Sequence, residues 1–132
     1  MVLDTSAIIA VLCAEDERDA FLEIISADPT LLMSAATFHE ASIVMASKKG
    51  NRLAADLVDD FIDDLAVEIV PLDRGAAVAA RDAYFRFGRG YHPARLNLAD
   101  CFSYSLAKTS NEPLLFKGDD FLKTDIMPAW RP

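Results

Sequence analysis

The sequence is poor in the residues that carry thiol chemistry and zinc binding. It contains 2 cysteines, Cys13 and Cys101, and 2 histidines among 132 residues. The cysteines have neither a C-x-x-C spacing nor a histidine partner nearby, which argues against zinc binding and thiol catalysis. We therefore expect both to be small buried apolar side chains of a reduced, cytoplasmic protein.

Long hydrophobic runs are also absent. The longest apolar stretches are far shorter than the ~20 residues that a membrane-spanning helix needs. Acidic residues at position 4 and at positions 15–17 interrupt any apolar segment of the kind found in a signal peptide. We expect no membrane contact and a cytoplasmic location.

Positive charge is scarce as well. Thirteen lysines and arginines stand against 21 aspartates and glutamates, a formal net charge of −8 at pH 7. Such a chain does not bind nucleic acid through bulk electrostatics. Nucleic acid stays open as a substrate, because a metal ion can supply positive charge locally at the reacting phosphate.

The chain does have the apolar content of a globular protein, with 52% apolar and 26% charged residues. We expect one domain spanning residues 1–132 with a substantial core. Short apolar runs alternate with segments of helical periodicity. This alternation predicts an α/β fold, in which a mostly parallel central sheet carries helices on both faces as a three-layer α/β/α sandwich.

The same periodicities give the predicted elements. The predicted strands are Met1–Leu3, Leu31–Ser34, Val67–Leu72 and Leu114–Phe116, with Ile126–Trp130 as a candidate edge strand. The predicted helices are Ser6–Cys13, Glu15–Ser26, one capped by Ser34 or Thr37 and ending at Gly50, Asn51–Leu65, Arg74–Phe85, and one from Asn97 or Leu98 to Lys108.

Acidic residues occur where the strands and helices of such a sheet meet. Asp4 ends the first predicted strand, Glu40 lies early in the helix after the second, and Asp100 opens the helix before the fourth. The Asp119–Asp120 pair follows the fourth strand. Strand ends and the helices that follow them share one edge of a parallel sheet, so we expect the acids to converge. Converging carboxylates indicate a site for a hard divalent cation such as Mg²⁺.

Each acid also has an ordinary structural explanation. Asp4 can cap the helix that follows it, and Glu40 can be a solvated helix residue. Asp100 can be a first-turn acid that interacts with the helix dipole, and Asp119–Asp120 can belong to a turn. Asp100 favours the functional interpretation, because the sequence around it, Leu98–Phe102, is otherwise apolar.

Several short motifs lie in order along the chain. They are Met1-Val2-Leu3-Asp4-Thr5-Ser6-Ala7, Glu40 in its helix, Leu96-Asn97-Leu98-Ala99-Asp100-Cys101, Pro113-Leu114-Leu115-Phe116-Lys117-Gly118-Asp119-Asp120-Phe121, and Thr124-Asp125-Ile126. In this order they resemble the PIN-domain ribonucleases, and specifically the VapC toxins of bacterial toxin–antitoxin pairs. The resemblance implies an α/β/α sandwich, RNA cleavage that depends on Mg²⁺ or Mn²⁺, homodimers, and inhibition by a cognate VapB-type antitoxin.

Carried over position by position, the first three acids of the family match Asp4, Glu40 and Asp100. The fourth falls on Asp119 or Asp120, and we favour Asp120 because an acid directly before a phenylalanine recurs in similar sequences. These acids are the expected catalytic groups and metal ligands.

Two further residues are expected to support the acids. Ser6 either hydrogen-bonds a metal ligand or is simply a hydroxyl at the start of a helix. Asn97 is expected to shape the turn into the helix of Asp100 rather than to bind substrate.

An acidic nuclease still needs a means of holding RNA. The segment from Arg86 to Arg95 concentrates three arginines (Arg86, Arg89 and Arg95) with one histidine and the aromatic residues Phe87 and Tyr91. Arginine and aromatic rings suit phosphate contacts and base stacking on single-stranded RNA. A solvated loop whose aromatic residues pack inward explains the same composition, so both interpretations stay open.

The expected reaction is hydrolysis of an RNA phosphodiester. The resemblance suggests transfer RNA as the substrate, and ribosomal and messenger RNA stay open. The resemblance implies 5′-phosphate and 3′-hydroxyl products, so the RNA 2′-hydroxyl is not the nucleophile. A phosphatase of the haloacid-dehalogenase type would need an aspartate where Ser6 stands, and a receiver domain would need paired acids near its start. A catalytically silent PIN-like module that acts through partner contacts would not need all four acids.

Overall fold

A parallel four-stranded sheet lies at the centre of the computed structural model, which describes residues 1–131. Its strands are β1 (Val2–Leu3), β2 (Leu32–Ser34), β3 (Glu68–Val70) and β4 (Leu114–Leu115), in the order β3-β2-β1-β4. The register places Val2 opposite Leu32 on one side and Leu114 on the other. Because β1 is central and all pairs are parallel, the carboxyl ends of the four strands meet at one edge.

Six helices connect and follow the strands. They are α1 (Thr5–Leu12), α2 (Arg18–Ala27), α3 (Ala35–Lys49), α4 (Asp56–Leu65), α5 (Arg74–Phe87) and α6 (Leu98–Ser110). Their ends follow from local chemistry. The side chain of Asp73 accepts from the N–H of Ala76 at the start of α5, and Gly50 takes a left-handed conformation (φ 63°) after α3.

The sheet separates two apolar cores, since successive side chains of a strand point to opposite faces. Leu3 packs into the core formed with α1 to α4, together with Phe21 and Met45. Its neighbour Val2 packs into the other core, which α5 and α6 cover. The predicted three-layer α/β/α sandwich with a mostly parallel sheet is therefore confirmed. No helix within residues 1–131 combines the length and apolar character needed to cross a membrane.

Several element boundaries differ from those predicted. The helix expected over Asn51–Leu65 divides into a 3-10 turn at Arg52–Ala55 and α4. Helix α5 continues to Phe87, two residues past the predicted end. The expected edge strand at Ile126–Trp130 is reduced to one parallel bridge between Leu114 and Pro128, in which the Leu114 N–H donates to the Met127 carbonyl and the Ala129 N–H donates to the Leu114 carbonyl. The backbone N–H of Ile126 donates instead to the Thr124 hydroxyl, so the chain is already turning where the strand would begin.

Candidate active site

A hollow of about 290 Å³ opens at the carboxyl edge of the sheet. Four acids line it: Glu15, and the three predicted acids, Asp4 after β1, Glu40 on α3 and Asp100 on α6. The other lining residues are Thr5, Ser6, Ile9, Val44, Asn97 and Lys117. The topology therefore brings together acids that lie 36 and 60 positions apart along the chain.

Asp4 is held in place at the junction of β1 and α1. It caps α1, because its Oδ2 accepts from the Ser6 backbone N–H at 2.9 Å and from the Ser6 hydroxyl at 2.6 Å. The Ser6 hydroxyl oxygen in turn accepts from the backbone N–H of Lys117 at 3.0 Å, which ties the end of β4 to the same point. Asp4 is only 3% exposed, and its Oδ1 has no hydrogen-bond partner within residues 1–131.

Glu40 is oriented by the first helix. The Thr5 hydroxyl donates to Glu40 Oε2 at 2.5 Å, so consecutive residues, Thr5 and Ser6, each direct one of the acids. Helix α3 itself starts at the end of β2, where the Ser34 side chain accepts from the N–H groups of Ala36 and Thr37. Glu40 thus faces the hollow in the second turn of a capped helix.

A buried hydrogen bond fixes α3 against α6. Thr37 Oγ1 and Ser103 Oγ lie 2.9 Å apart, and both residues are fully buried. Thr37 precedes Glu40 by three residues, and Ser103 follows Asp100 by three. Residues three apart on a helix lie on one face, so this bond sets the relative position of the two acids.

Asp100 belongs to a capping box at the start of α6. Its Oδ2 accepts from the Asn97 N–H at 2.7 Å, and its own N–H donates to Asn97 Oδ1 at 2.9 Å. Burial, and then the negative charges of Asp4, Glu40 and Asp120, raise the pKa of the Asp100 carboxyl to about 7, against the lowering effect of the Asn97 hydrogen bond. Burial of the carboxyl is therefore the main cause of the raised pKa, and the neighbouring acids add to it.

The two candidates for the fourth acid lie in different surroundings. Neither Asp119 nor Asp120 lines the hollow, but the charge of Asp120 contributes to the raised pKa of Asp100. Asp120 is exposed and pairs with Lys123 at 3.2 Å. Asp119 instead lines a separate depression beside Leu122. Of these two acids, only Asp120 contributes to the raised pKa of Asp100.

The residues of the hollow fit a divalent cation. The side chains as they stand within residues 1–131 do not form a ready cluster of three metal-ligating groups. The chemistry of the site still suits a hard ion, because the donors are carboxylate oxygens and the buried Asp4 Oδ1 lacks a partner. Burying an unpaired carboxylate oxygen is costly, and a cation beside Asp4 would remove that cost.

Sequence reasoning missed Thr5, Glu15 and Lys117, which all line the hollow. The Lys117 ammonium lies 2.7 Å from Glu17 and 2.9 Å from Glu15, and hydrogen bonds to these two carboxylates raise its pKa to about 12. The position of Lys117 just beyond β4 was the available signal, since that strand end faces the acidic edge. The pairing with Glu15 and Glu17, across 100 or more residues, was not visible in sequence.

The arginine-rich segment lies outside the hollow, and its residues have separate environments. Arg86 sits over the Phe87 ring, 4.7 Å from its centroid, and pairs with Asp125 at 3.4 Å. Arg89 and Arg95 are exposed. Phe87 is buried, whereas Tyr91 is 60% exposed. The inward packing weighed for the aromatic residues therefore holds for Phe87 and not for Tyr91.

Comparison with known proteins converges on one group. A family model of the PIN domain matches residues 1–127. Ribonuclease VapC30 of Mycobacterium tuberculosis (strain ATCC 25618 / H37Rv) is 44% identical over 132 residues, which cover 100% of both chains.

Two solved structures extend the comparison to the fold. VapC20 of Mycobacterium tuberculosis, described as a sarcin-ricin loop cleaving toxin, has a TM-score of 0.79 at 16% identity over 99% of this chain and 98% of that chain. VapBC2 of Rickettsia felis, solved with a DNA fragment from its promoter, has a TM-score of 0.71 at 16% identity, covering 96% and 94%. At these identities the structural likeness establishes a shared fold.

Proposed function

Since the chain belongs to the PIN-domain family and is an endoribonuclease toxin of the VapC type, we propose that four carboxylates carry its reaction. They are Asp4, Glu40, Asp100 and Asp120. The main support is the hollow lined by the first three, in which the buried Asp4 Oδ1 lacks a hydrogen-bond partner. The influence of Asp120 on the pKa of Asp100 supports its inclusion in place of Asp119.

The same carboxylates would hold Mg²⁺ or Mn²⁺, with Asp4 and Asp100 as the main ligands and Glu40 and Asp120 completing the site. When bound, the cation would lower the pKa of a water molecule and neutralise charge that develops on the phosphodiester. Ser6 and Thr5 direct the carboxylates of Asp4 and Glu40 through their hydroxyl groups.

In this mechanism the protein's own groups position the carboxylates and take the proton from the attacking water. Asn97 holds Asp100 through the capping box, so that this acid needs no reorganisation when substrate binds. One carboxylate of the set accepts the proton of the attacking water. The products carry 5′-phosphate and 3′-hydroxyl ends, and the RNA 2′-hydroxyl takes no part as nucleophile.

Transfer RNA is the proposed substrate, and arginines outside the hollow are proposed to hold its phosphates. Arg89 and Arg95 suit this role best, because they are exposed and pair with no acid within residues 1–131. Arg86 is also exposed but already pairs with Asp125, so its contribution to phosphate binding would be smaller.

We further propose a VapB-type antitoxin as the partner, a homodimer as the assembly, and the cytoplasm as the place of action. Apolar side chains that lie exposed on and after α3, Ile43 at 55% and Leu53 at 61%, support docking of an amphipathic antitoxin helix. An apolar hollow of about 570 Å³ beside the acidic site, which includes Leu98 and Phe102, supports a second protein contact.

The decisive experiment uses purified protein freed of any partner and 5′-labelled total tRNA. We expect discrete cuts with Mn²⁺ or Mg²⁺, none with EDTA, and none with the Asp100→Asn variant. The exposed acid Asp59 on α4 supplies a matched control, and Asp59→Asn should cut normally. Cleavage that survives EDTA or Asp100→Asn, or that leaves mainly 2′,3′-cyclic phosphate ends, would refute the carboxylate–metal mechanism.

The same assay distinguishes the two candidates for the fourth acid. Asp120→Asn should reduce the cleavage rate by at least about ten-fold, as expected for a group that supports a metal site. Asp119→Asn should leave the rate within about two-fold, because Asp119 lies in another depression. The reverse result would assign the role to Asp119. If transfer RNA is not cut at all, ribosomal RNA is the next substrate to test.

A further inference from the structure

Three aromatic rings form a cluster on the protein surface at the end of α5. Tyr91 meets Tyr84 and Phe85 edge-to-face, with ring centroids 5.7 and 5.5 Å apart, and the Tyr84 and Phe85 rings are 6.5 Å apart. Phe85 is 55% exposed and Tyr91 is 60% exposed. We call Tyr84, Phe85 and Tyr91 the aromatic platform. Large exposed apolar clusters on a protein surface usually mark binding sites.

The loop that carries Tyr91 is tied down by its own backbone. The N–H groups of Tyr91 and His92 both donate to the carbonyl of Gly88, at 3.0 and 3.1 Å. The N–H of Arg89 donates to the Leu96 carbonyl, and the N–H of Leu96 donates to the Phe87 carbonyl. The platform is thus held in shape before anything binds, which lowers the entropy lost on binding.

The charge around the platform is opposite to that of the whole chain. Residues 74–95 contain five arginines against a single aspartate, a net charge of +4, in a protein whose net charge is −8. Arg81 and Arg86 pair with Asp82 and Asp125, both in exposed positions. Arg89 and Arg95 form no ion pair within residues 1–131 and are exposed. Positive charge is therefore concentrated where the exposed rings are.

We propose that the aromatic platform is a binding site for unpaired RNA bases, which stack on Phe85 and Tyr91 while Arg89 and Arg95 contact the adjoining phosphates. Exposed rings next to arginines are the means by which proteins hold single-stranded nucleic acid. Bases in a duplex are already stacked and paired, so the site selects single-stranded or loop RNA. This inference rests on the proposed function and adds a base-contacting site outside the acidic hollow.

The charge complementarity favours RNA over a second copy of this chain as the occupant. A second copy is acidic overall and would bring to the platform the same excess of arginines if it docked through the same surface. Like charges placed opposite one another oppose association. RNA is a polyanion with exposed π-faces and therefore matches both features of the platform.

The loop also connects the platform directly to the acidic hollow. Arg95 is followed by Leu96, which pairs with Gly88, and then by Asn97, which caps the helix that carries Asp100. A strand of RNA held at the platform is therefore held by the chain segment that positions a proposed metal ligand.

The test measures binding without cleavage. Asp100→Asn protein in EDTA is titrated against three fluorescein-labelled oligomers of equal length: oligoadenylate, oligouridylate and an abasic ribose-phosphate chain. We expect oligoadenylate to bind at least about ten-fold more tightly than the abasic chain, because stacking on aromatic rings strengthens binding to a base strongly. Phe85→Ala with Tyr91→Ala should reduce this preference to about two-fold or less.

Controls separate stacking from folding and from self-association. Tyr91→Trp should keep the preference for oligoadenylate over the abasic chain, because tryptophan also offers an aromatic ring. Val78→Ala, on the exposed side of α5, should leave this preference unchanged. Equal binding of all three oligomers by the parent protein would overturn the proposal. So would a change from dimer to monomer in sedimentation on removing the rings, with RNA binding unaltered, since that would assign the platform to protein contact.

The inference and the proposed function fail in different ways. If the wild-type protein cuts RNA with Mn²⁺ and the Phe85→Ala, Tyr91→Ala variant cuts the same RNA with unchanged KM, only the platform proposal is refuted. If the parent protein shows the base-dependent binding but no metal-dependent cleavage of any RNA, the catalytic proposal is refuted and the platform remains.

Discussion

At the scale of single residues, two acids of the hollow also hold helix ends. Asp4 caps α1 and Asp100 completes a capping box on α6, and each faces the candidate site. The structural explanation therefore holds for these side chains, and it is compatible with the proposed function. Substitutions intended to test catalysis should keep the cap, which is why Asn, itself a good capping residue, is preferable to Ala.

Ser6 provides a first prediction at this scale. Ser6→Ala removes the hydroxyl that donates to Asp4 and accepts from Lys117, so Asp4 Oδ2 keeps only the hydrogen bond from the backbone N–H of residue 6 and is held less firmly. We expect the cleavage rate at limiting Mn²⁺ to fall about 10- to 100-fold, with recovery at high Mn²⁺, as for other partners of metal ligands. Ser26→Ala is the control, because the Ser26 hydroxyl bonds only within α2. An unchanged dependence on Mn²⁺ would show that Ser6 is simply a helix residue.

The raised pKa of Asp100 provides a second prediction. The carboxyl titrates at about 7 in the folded metal-free protein against a reference value of 3.8, so the folded state holds the proton more tightly than the unfolded state. The stability of metal-free protein therefore falls as the pH rises from about 4 to about 7.

Asp100→Asn should remove this loss of stability. In EDTA at pH 8 we expect the variant to unfold with a free energy roughly 1 to 3 kcal/mol higher than the wild type. Near pH 4 the difference should vanish, because the wild-type carboxyl is then protonated as well. Urea unfolding at both pH values measures this difference in the free energy of unfolding. A variant less stable than the wild type at pH 8 would contradict the crowding of acids.

At the scale of elements, the hydrogen bond between Thr37 and Ser103 decides how α3 and α6 meet. Thr37→Val or Ser103→Ala alone leaves one buried hydroxyl without this partner, and each should lower the free energy of unfolding by about 1 to 3 kcal/mol. The double variant should lose less than the sum, because no orphaned hydroxyl remains. Additive losses in denaturant unfolding would show that the bond does not couple the helices.

Gly88 provides the prediction for the loop that follows α5. A Cβ at this position would lie 2.7 Å from the Tyr84 ring and close to the Tyr84 carbonyl, so the close approach requires glycine. Gly88→Ala should destabilise the protein by about 1 to 3 kcal/mol through overpacking and should also weaken RNA binding at the platform. Arg89→Ala, at the exposed neighbour, should weaken RNA binding without loss of thermal stability. A Gly88→Ala protein with unchanged Tm would show that the loop accommodates the methyl group.

At the scale of the whole molecule, the proposed metal site gives a prediction for the effect of divalent cations on stability in a chain whose net charge is −8. A ligand that binds only the folded state adds about 2.7 kcal/mol at 100 times its Kd. Saturating Mn²⁺ should therefore raise the Tm of the wild type by several degrees, and EDTA should reverse the effect. Mn²⁺ should change the Tm of the Asp100→Asn variant little. An equal shift in both proteins would indicate general charge screening rather than binding in the hollow.

The sequence by itself determined the fold class and the placement of the acids on elements. Alternating apolar runs and helical periodicity are local signals, and they predicted the four strands and a mostly parallel sheet correctly, but not the order of the strands. They also predicted that Asp4 follows β1, that Glu40 lies on the next long helix, and that Asp100 opens the helix before β4. Errors arose at boundaries, as at Ile126–Trp130, where the chain turns and the backbone N–H of Ile126 donates to the Thr124 hydroxyl.

Only the tertiary structure decided which side chains meet. The contacts of Thr5 with Glu40 and of Lys117 with Glu15 cross 35 and 102 positions of the chain. The difference between Asp119 and Asp120, and between buried Phe87 and exposed Tyr91, depends on which way a short segment turns. Periodicity records how a residue relates to its own helix or strand. Contacts between elements depend on how the packed layers place those elements in space, which local sequence does not specify.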